Sequence, residues 1–172
     1  MGKYNHKEVY EFFKLYAFIL ITQEYFNVKQ KLTFKDSDGY YYENTFDGFR
    51  INIKRNIKFA KFHVHNPYTI QNIKLWLKLN NKPFELVSVI YEDANKNLQW
   101  RCLKKDCGEI FEMTWGNLYF GQNCSFCSGV KVGLSNCLAT LNQELAKEWH
   151  PTKNGDLTPF DITLGSNKDV WW

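Results

Sequence analysis

The chain has 172 residues, 44% of them hydrophobic and 17% aromatic, and its formal net charge is +4. This composition excludes a disordered chain, because enough apolar surface is available to build packed cores. No run of 18 apolar residues occurs, and the longest apolar run, Ala17–Ile21, is too short for a signal peptide, so we expect a cytoplasmic protein with reduced cysteines and no membrane contact.

The first third of the chain predicts a helix, an apolar strand and a β-hairpin. The helix is amphipathic around residues 9–15, and the strand covers residues 18–25. Within the hairpin, Asp36-Ser37-Asp38-Gly39 predicts a tight turn in which Gly39 supplies a positive φ. The two aspartates could also bind Ca²⁺ or Mg²⁺. We interpret the segment as a turn.

A basic segment at residues 50–61 predicts a strand that could contact phosphates. It has five cations, no acid, and Ile and Phe side chains at strand spacing. Such a strand could bury its apolar face and present its cations to nucleic acid, although an ordinary solvated strand has the same pattern. Residues 1–66 contain 11 Lys and Arg against 7 Asp and Glu, a balance of +4, so the positive charge lies in this third. The candidate nucleic-acid-binding residues are Arg50, Lys54, Arg55, Lys58 and Lys61.

Two histidines, His63 and His65, follow the basic segment and would share one face of a strand. They could bind a metal or begin a nuclease motif, but no acidic partner or further histidine lies close in sequence. We interpret them as exposed linker residues. Pro67 and Thr69 then favour the start of a helix at Ile70–Leu79.

Four of the five cysteines follow a C-x4-C and C-x2-C pattern, which predicts one Zn²⁺ site. A hairpin-length insert separates the two pairs, and Gly108 directly follows the second cysteine. Each pair can form a knuckle whose sulfurs face one point, whereas scattered core or disulfide cysteines would not explain the paired spacing. Four thiolates leave no coordination position for water, so the ion would be structural. The predicted ligands are Cys102, Cys107, Cys124 and Cys127.

An internal repeat relates the first two thirds of the chain at a constant offset, which aligns Phe18 with Phe84 and Leu32 with Leu98. Each copy predicts a helix, a strand and a hairpin, and only the second copy has cysteines. Asp36 and Asp38 stand about where Cys102 and Cys107 stand in the second copy. The aligned segments are 9–15 with 73–79, 18–25 with 84–91, 31–34 with 97–100 and, after a short deletion, 39–46 with 108–115.

The last part of the chain resembles a known family. Ser135 can cap a short helix in which Cys137 is a packing residue and not a ligand. Beyond it, Leu145–Gly155 reads LAKEWHPTKNG, and Asp161–Ser166 and a terminal Val-Trp-Trp follow. From Asn136 onward the chain is similar to the probable zinc-ribbon, or treble-clef, repeat domains of bacteria and phages, and residues 67–129, with the four cysteines, look like the repeat that usually precedes this motif. The resemblance covers about residues 67–172, and it reaches residues 1–66 only through the internal repeat. The resemblance implies zinc ligation by the four cysteines, DNA binding, and a structural role for His150.

The predicted fold class is therefore α+β, with tandem small treble-clef or zinc-ribbon-like repeats. Residues 1–66 would be a metal-free copy, 67–134 the zinc-binding copy, and 135–172 an incomplete third copy. In the family the motif continues past the Trp pair into another cysteine knuckle, whereas this sequence ends at Trp172. We expect either a truncated product of a longer protein or a last strand that packs on the preceding repeat.

Two functions are compatible with this sequence. The first is a non-catalytic, zinc-stabilised DNA-binding repeat protein, such as the recognition part of a nuclease-like, mobile-element or phage protein. We predict no enzymatic activity and no small-molecule substrate, because no catalytic triad, phosphate-binding loop or carboxylate pair stands out. The second is a protein-binding adaptor or inhibitor of phage or bacterial origin. Its contact residues would be Trp171 and Trp172, since exposed aromatic residues often anchor interfaces.

Overall fold

A computed structural model describes residues 4–172. The chain divides into two units, the first reaching Lys82 and including Val89–Ala94, the second comprising Pro83–Ser88 and Asn95–Trp172. Each unit contains one three-stranded antiparallel sheet. Among the helices of the described chain, none is long and apolar enough to cross a bilayer.

Among its described residues, unit 1 contains three helices and a sheet of strand order β1-β2-β3. Its elements are α1 (His6–Leu15), β1 (Ile19–Leu20), β2 (Lys31–Lys35), β3 (Tyr41–Thr45), α2 (Phe46–Lys54) and α3 (Thr69–Leu79). A capping box starts α1, because the Asn5 side chain accepts from the N–H of Glu8 and the Glu8 carboxylate accepts from the N–H of Asn5. The buried face of α1 carries Val9 and Phe13, one helical turn apart, as an amphipathic helix requires.

The turn between β2 and β3 agrees with the turn interpretation of the sequence. Gly39 has φ 91°, and one carboxylate oxygen of Asp36 accepts from the N–H of Tyr40 at 2.9 Å. The other oxygen accepts from the hydroxyl of Tyr42 at 2.8 Å. Within residues 4–172, neither Asp36 nor Asp38 belongs to a group that could hold a metal ion.

Stacked aromatic rings form the core of unit 1. The Phe13 and Phe49 rings stack with centroids 4.0 Å apart, and Phe59 stacks on Phe49 at 5.2 Å. Phe34 meets the edge of Phe49 at 5.1 Å. Phe13, Phe34 and Phe49 are fully buried, so α1, α2 and the sheet are held by one cluster of apolar surface.

The predicted helix at residues 70–79 is present as α3, and it belongs to unit 1. Its Asn72 is fully buried; the Asn72 amide oxygen accepts from the N–H of Tyr41, and its nitrogen donates to the carbonyls of Tyr41 and Lys61. These three bonds satisfy the buried amide and fix α3 to β3. The boundary between units therefore follows Lys82, whereas the sequence-based division into 1–66, 67–134 and 135–172 stays a prediction.

The structure corrects the predicted strand at residues 50–61. Residues up to Lys54 are helical, and the rest of the segment is turn and loop. The Thr45 side chain caps α2 by accepting from the N–H of Gly48 at 3.1 Å. Phe46 and Phe49 then bury the same helix face, because they are close to one helical turn apart. The apolar residues that suggested the alternation of a strand also fit the period of a helix. The Thr45 cap favours the helix.

Unit 2 has the sheet order β4-β5-β6 and three short helices. Its elements are β4 (Phe84–Leu86), β5 (Asn97–Cys102), β6 (Ile110–Thr114), α4 (Trp115–Tyr119), α5 (Leu138–Leu141) and α6 (Gln143–Lys147). Trp100 lies at the centre, between Leu86 on one side and Phe111 on the other. It is fully buried and donates its indole N–H to the carbonyl of Met113 at 2.9 Å.

The two units share an order of elements. Each sheet is an antiparallel meander followed at once by a helix capped by a threonine, Thr45 in unit 1 and Thr114 in unit 2. The carbonyl of Thr33 accepts from the N–H groups of residues 21 and 22, and the carbonyl of Gln99 accepts from those of residues 87 and 88. These positions correspond at the same offset that aligns Leu32 with Leu98 in the sequence.

Candidate metal centre

The first cysteine pair lies in the loop that joins β5 to β6. Cys102 is the last residue of β5, and its N–H donates to the carbonyl of Glu109 at 2.9 Å. The chain turns sharply before the strand resumes, because Asp106 and Gly108 have φ values of 64° and 67°. Cys107 stands between them, so its side chain is returned towards that of Cys102.

The second pair lies in a tight turn after α4. The N–H and the hydroxyl of Ser128 both donate to the carbonyl of Cys124 at 3.1 Å. Gly129, at the end of the turn, has a φ of 73°. This turn places Cys124 in the interior and leaves Cys127 exposed.

The four sulfurs converge as the spacing predicts. All four lie within 4.8 Å of one another. The Sγ atoms of Cys102 and Cys127 are 3.7 Å apart, and those of Cys107 and Cys124 are 3.9 Å apart. A tetrahedral zinc ion with Zn–S bonds of about 2.3 Å separates its sulfurs by about 3.8 Å. The four cysteines therefore fit one structural Zn²⁺.

Electrostatics within the cluster distinguish its thiols. Burial raises the pKa of the Cys102 thiol, because a buried thiolate is poorly solvated. Cys127 is exposed as a residue, but its sulfur lies among the other three, and desolvation of that sulfur together with hydrogen bonds to Cys107 and Cys102 raises the pKa of its thiol. Burial also acts on Cys107, but hydrogen bonds from the Glu109 backbone and the neighbouring thiols outweigh it and lower the pKa of Cys107. Neighbouring thiolates repel one another, so four ionised cysteines at one site need a compensating cation. Zn²⁺ supplies that compensation.

The fifth cysteine lies apart from this group. Cys137 is fully buried, and its sulfur is 3.3 Å from the hydroxyl of Thr140. It also forms an isolated β-bridge with Thr163. Cys137, and not Ser135, is the residue that precedes α5. Its position agrees with a packing role.

Two of the five candidate nucleic-acid-binding cations are paired with acids. Arg50 contacts the Asp47 carboxylate at 3.1 Å on the same helix. Lys61 lies 3.5 Å from Asp36 and 3.4 Å from Asp38, across the β2–β3 turn. These pairs reduce the charge that the two residues can offer to a phosphate.

The other three candidate cations are exposed. Lys54 ends α2, Arg55 caps it, and Lys58 follows in the loop. None of the three forms an ion pair with any residue from 4 to 172. The structure thus brings these cations together at the end of a helix and not along a strand, and their contact with nucleic acid stays a prediction.

The two histidines after the basic segment are exposed neighbours. Their rings are 5.0 Å apart, and Nδ1 of His63 accepts from the N–H of His65 at 3.2 Å. In the described part of the chain they belong to no group of metal-binding side chains. The arrangement agrees with exposed linker residues.

The two terminal tryptophans are held at the surface by backbone contacts. The N–H of Trp171 donates to the Asn154 side chain at 2.7 Å, and its carbonyl accepts from the N–H of His150 at 3.0 Å. Trp172 meets the edge of Trp149 at 5.6 Å. Trp171 is 60% exposed and Trp172 48% exposed, so both rings remain accessible.

His150 has a structural position in its loop. Its Nδ1 accepts hydrogen bonds from the backbone N–H groups of Thr152 and Lys153.

Sequence reasoning missed two cavities beside α2. The first has a volume of about 480 Å³, and Asn52 and Lys58 are among its lining residues. The second has a volume of about 580 Å³ and is lined in part by Arg50 and Lys54. Tyr16 and Ile53 line both. No sequence signal connects Tyr16 with residues 50–58, because the helix that carries it is distant in the chain.

Comparison with known proteins gives one family. The family model described as a probable treble clef zinc finger domain matches residues 145–172. No curated protein and no solved structure matches the chain. The matched segment contains no cysteine, so the metal centre at residues 102–127 lies outside it. Residues 145–172 are thus similar to the probable treble clef zinc finger domain, and they follow a separate four-cysteine centre that fits one structural zinc.

Proposed function

We propose that the protein is a zinc-stabilised DNA-binding repeat protein. The observation that carries the proposal is the group of exposed cations at the end of α2, formed by Lys54, Arg55 and Lys58. Lysine and arginine side chains without acidic partners are the groups that replace counterions on a phosphate backbone. Zinc finger proteins commonly bind nucleic acid, which agrees with the family match.

The order of elements supports tandem repeats. The meander, the threonine cap and the paired carbonyl contacts recur in units 1 and 2 at one sequence offset. Buried residues also recur, since Leu32 and Phe34 in β2 correspond to Leu98 and Trp100 in β5. Tandem small modules are suited to a linear ligand, because each can contact a successive segment of it.

The zinc centre would act in folding and not in catalysis. Four cysteine ligands close the coordination sphere, so a metal-bound water is not expected. A small module gains from the ion the stability that its limited core cannot supply. We therefore propose a recognition protein without catalytic activity, such as the DNA-contacting part of a nuclease-like, mobile-element or phage system.

The structure limits the expected strength of binding. With Arg50 and Lys61 paired to acids, about three cations remain for phosphates, and each phosphate contact contributes about −0.9 to the slope of log K against log salt. Three contacts give a slope of about −2.7, or a loss of about 40-fold in affinity between about 50 and 200 mM salt. Five contacts would give a loss of about 500-fold.

A salt titration with matched charge variants tests the proposal. Labelled DNA, single-stranded and duplex, is titrated with the zinc-loaded chain and with the triple variant Lys54→Glu, Arg55→Glu, Lys58→Glu. The control triple variant changes three other exposed lysines of unit 1 and has the same net charge: Lys7→Glu, Lys29→Glu, Lys74→Glu. We expect the first variant to lose binding and the salt slope, and the control to keep most of both. Equal losses in the two variants, or no binding to either DNA by the wild type, would contradict the proposal.

The exposed terminal tryptophans favour one second function, a protein-binding adaptor or inhibitor. A pair of large aromatic side chains, 60% and 48% exposed, is typical of a residue pair that anchors an interface. This function predicts a salt-tolerant complex that Trp171→Ala or Trp172→Ala abolishes. Phe160→Ala provides a control, since Phe160 is 57% exposed and belongs to the same matched segment.

A further inference from the structure

The two cavities beside α2 adjoin each other. We call them the Asn52 cavity, of about 480 Å³, and the Arg50 cavity, of about 580 Å³. Both volumes fall within the range of about 300–1,000 Å³ in which small ligands are usually bound. Tyr16 and Ile53 line both, so the cavities form one strip with the Tyr16 ring at their common border. All of these residues belong to unit 1.

The walls of the Asn52 cavity combine aromatic surface with unused amides. Phe18 and Phe59 contribute ring surface, and Lys58 provides a cation. Asn52 and Asn56 also line it, and their side chains form no hydrogen bond with any residue between 4 and 172. An amide group presents a donor and an acceptor together, which is the pattern that pairs with the edge of a nucleobase.

The Arg50 cavity has a similar composition with more charge. Phe12 and Ile51 supply apolar surface, and the Arg50–Asp47 pair and Lys54 supply polar groups. Lys54 and Lys58 therefore border different cavities, one in each. Cations spaced along a strip of aromatic and apolar surface match a single nucleic-acid strand, in which charged phosphates alternate with flat bases.

We propose that this strip binds two consecutive nucleotides of single-stranded DNA. One base enters each cavity, the Tyr16 ring stacks on a base at the border, and Lys54 and Lys58 contact phosphates. Bases within a duplex are paired and stacked, so they cannot enter the cavities. The inference rests on the proposed DNA-binding function and narrows it to an unpaired strand.

Substitution of Tyr16 tests the contribution of base stacking to DNA affinity without altering the charge of the strip. Tyr16 caps the C-terminal end of α1, its ring contacts Phe12 at 5.1 Å, and it is 41% exposed. Tyr10 provides a matched control, because it lies on the same helix, is 43% exposed and lines neither cavity. Neither substitution changes the net charge, so a difference in DNA affinity between Tyr16→Ala and Tyr10→Ala measures the contribution of the Tyr16 ring.

The experiment measures the affinity of zinc-loaded wild type, Tyr16→Ala, Tyr16→Phe and Tyr10→Ala for oligo(dT), with a mixed-sequence duplex of equal length as a second ligand. Loss of one stacked base, at about 1–3 kcal/mol, lowers affinity by about 5- to 150-fold. We expect Tyr16→Ala to lose that much for oligo(dT), while Tyr16→Phe and Tyr10→Ala stay within about twofold of wild type. Thermal melts of all the proteins show whether unit 1 is intact, and Tyr16→Leu, which keeps apolar bulk but lacks the ring, replaces Tyr16→Ala if that variant is destabilised.

The outcomes separate this inference from the function on which it rests. Binding of oligo(dT) that Tyr16→Ala leaves unchanged overturns the inference and leaves DNA binding in place. Binding of the duplex as tightly as oligo(dT), or more tightly, also overturns the inference and leaves DNA binding in place. Absence of binding to both ligands overturns the proposed function and the inference together.

Discussion

Removal of the zinc ion should unfold the metal-binding part of unit 2 and leave unit 1 folded. The perturbation is Cys124→Ser, or chelation of the wild type. Cys124 is fully buried, and its sulfur lies 3.9 Å from that of Cys107, so a serine at this position cannot complete four-thiolate ligation. The core of unit 1 contains no cysteine ligand and depends instead on packed aromatic rings.

The free energy that the ion contributes is comparable with the whole stability of a small domain. Structural zinc in small modules contributes about 10–16 kcal/mol of apparent binding free energy at pH 7. A whole domain is stable by only about 5–15 kcal/mol. Loss of the ion therefore removes about as much free energy as holds the unit together. Trp100 and Trp115, which are buried in unit 2, should become exposed.

Hydrogen exchange measured by mass spectrometry provides the assay, because peptides from the two units are read separately. Peptides covering β5, β6 and α4 should lose protection on zinc removal, and those covering β2 and α2 should keep it. Cys137→Ser is the control: it changes a buried cysteine outside the cluster and should retain one zinc per chain. Wild-type protection of β5 and β6 in metal-free Cys124→Ser would refute the reasoning.

Two further predictions concern unit 1. Phe49→Ala should lower its free energy of unfolding by about 3–5 kcal/mol in denaturant melts, because Phe49 is fully buried, whereas Ile51→Ala on the same helix, 48% exposed, should change it by no more than about 0.5 kcal/mol. Burial and a hydrogen bond to the Asp36 carboxylate raise the pKa of the Tyr42 hydroxyl. The corresponding stability is present below the unfolded pKa of about 10 and is lost above it. The zinc-loaded wild type should therefore lose stability more steeply above about pH 10 than Tyr42→Phe, and equal slopes would contradict this.

The metal centre and the β2–β3 turn could be predicted because they depend on residues close in sequence. Each cysteine pair sits within one loop, and Gly39 follows Asp36 in a turn whose contacts span a short stretch of chain. The secondary structure of the basic segment at residues 50–61 is harder to predict from the sequence. Its apolar residues satisfy two periods, and the bond between Thr45 and Gly48 that selects the helix lies just upstream of it.

The charge available to a ligand and the cavities could not be predicted. Lys61 is paired with Asp36 and Asp38, which lie far earlier in the chain, and that pairing exists only once the hairpin packs. The two cavities likewise combine Tyr16 at the end of α1 with residues of α2. Both depend on tertiary packing, which neither periodicity nor composition encodes locally.

Within residues 4–82 and 89–94, unit 1 has no group of side chains that could hold a metal ion, and its core is aromatic. At the β2–β3 turn of unit 1, Lys61 from the segment after α2 forms ion pairs with Asp36 and Asp38. The Lys61 ammonium also lies 3.9 Å from the centroid of the Tyr40 ring. Partly exposed ion pairs contribute only about 0–1 kcal/mol and a cation–π contact about as much, which is far less than zinc contributes. We therefore expect the stacked rings of Phe13, Phe49 and Phe59, and not these ion pairs, to supply most of the stability of unit 1.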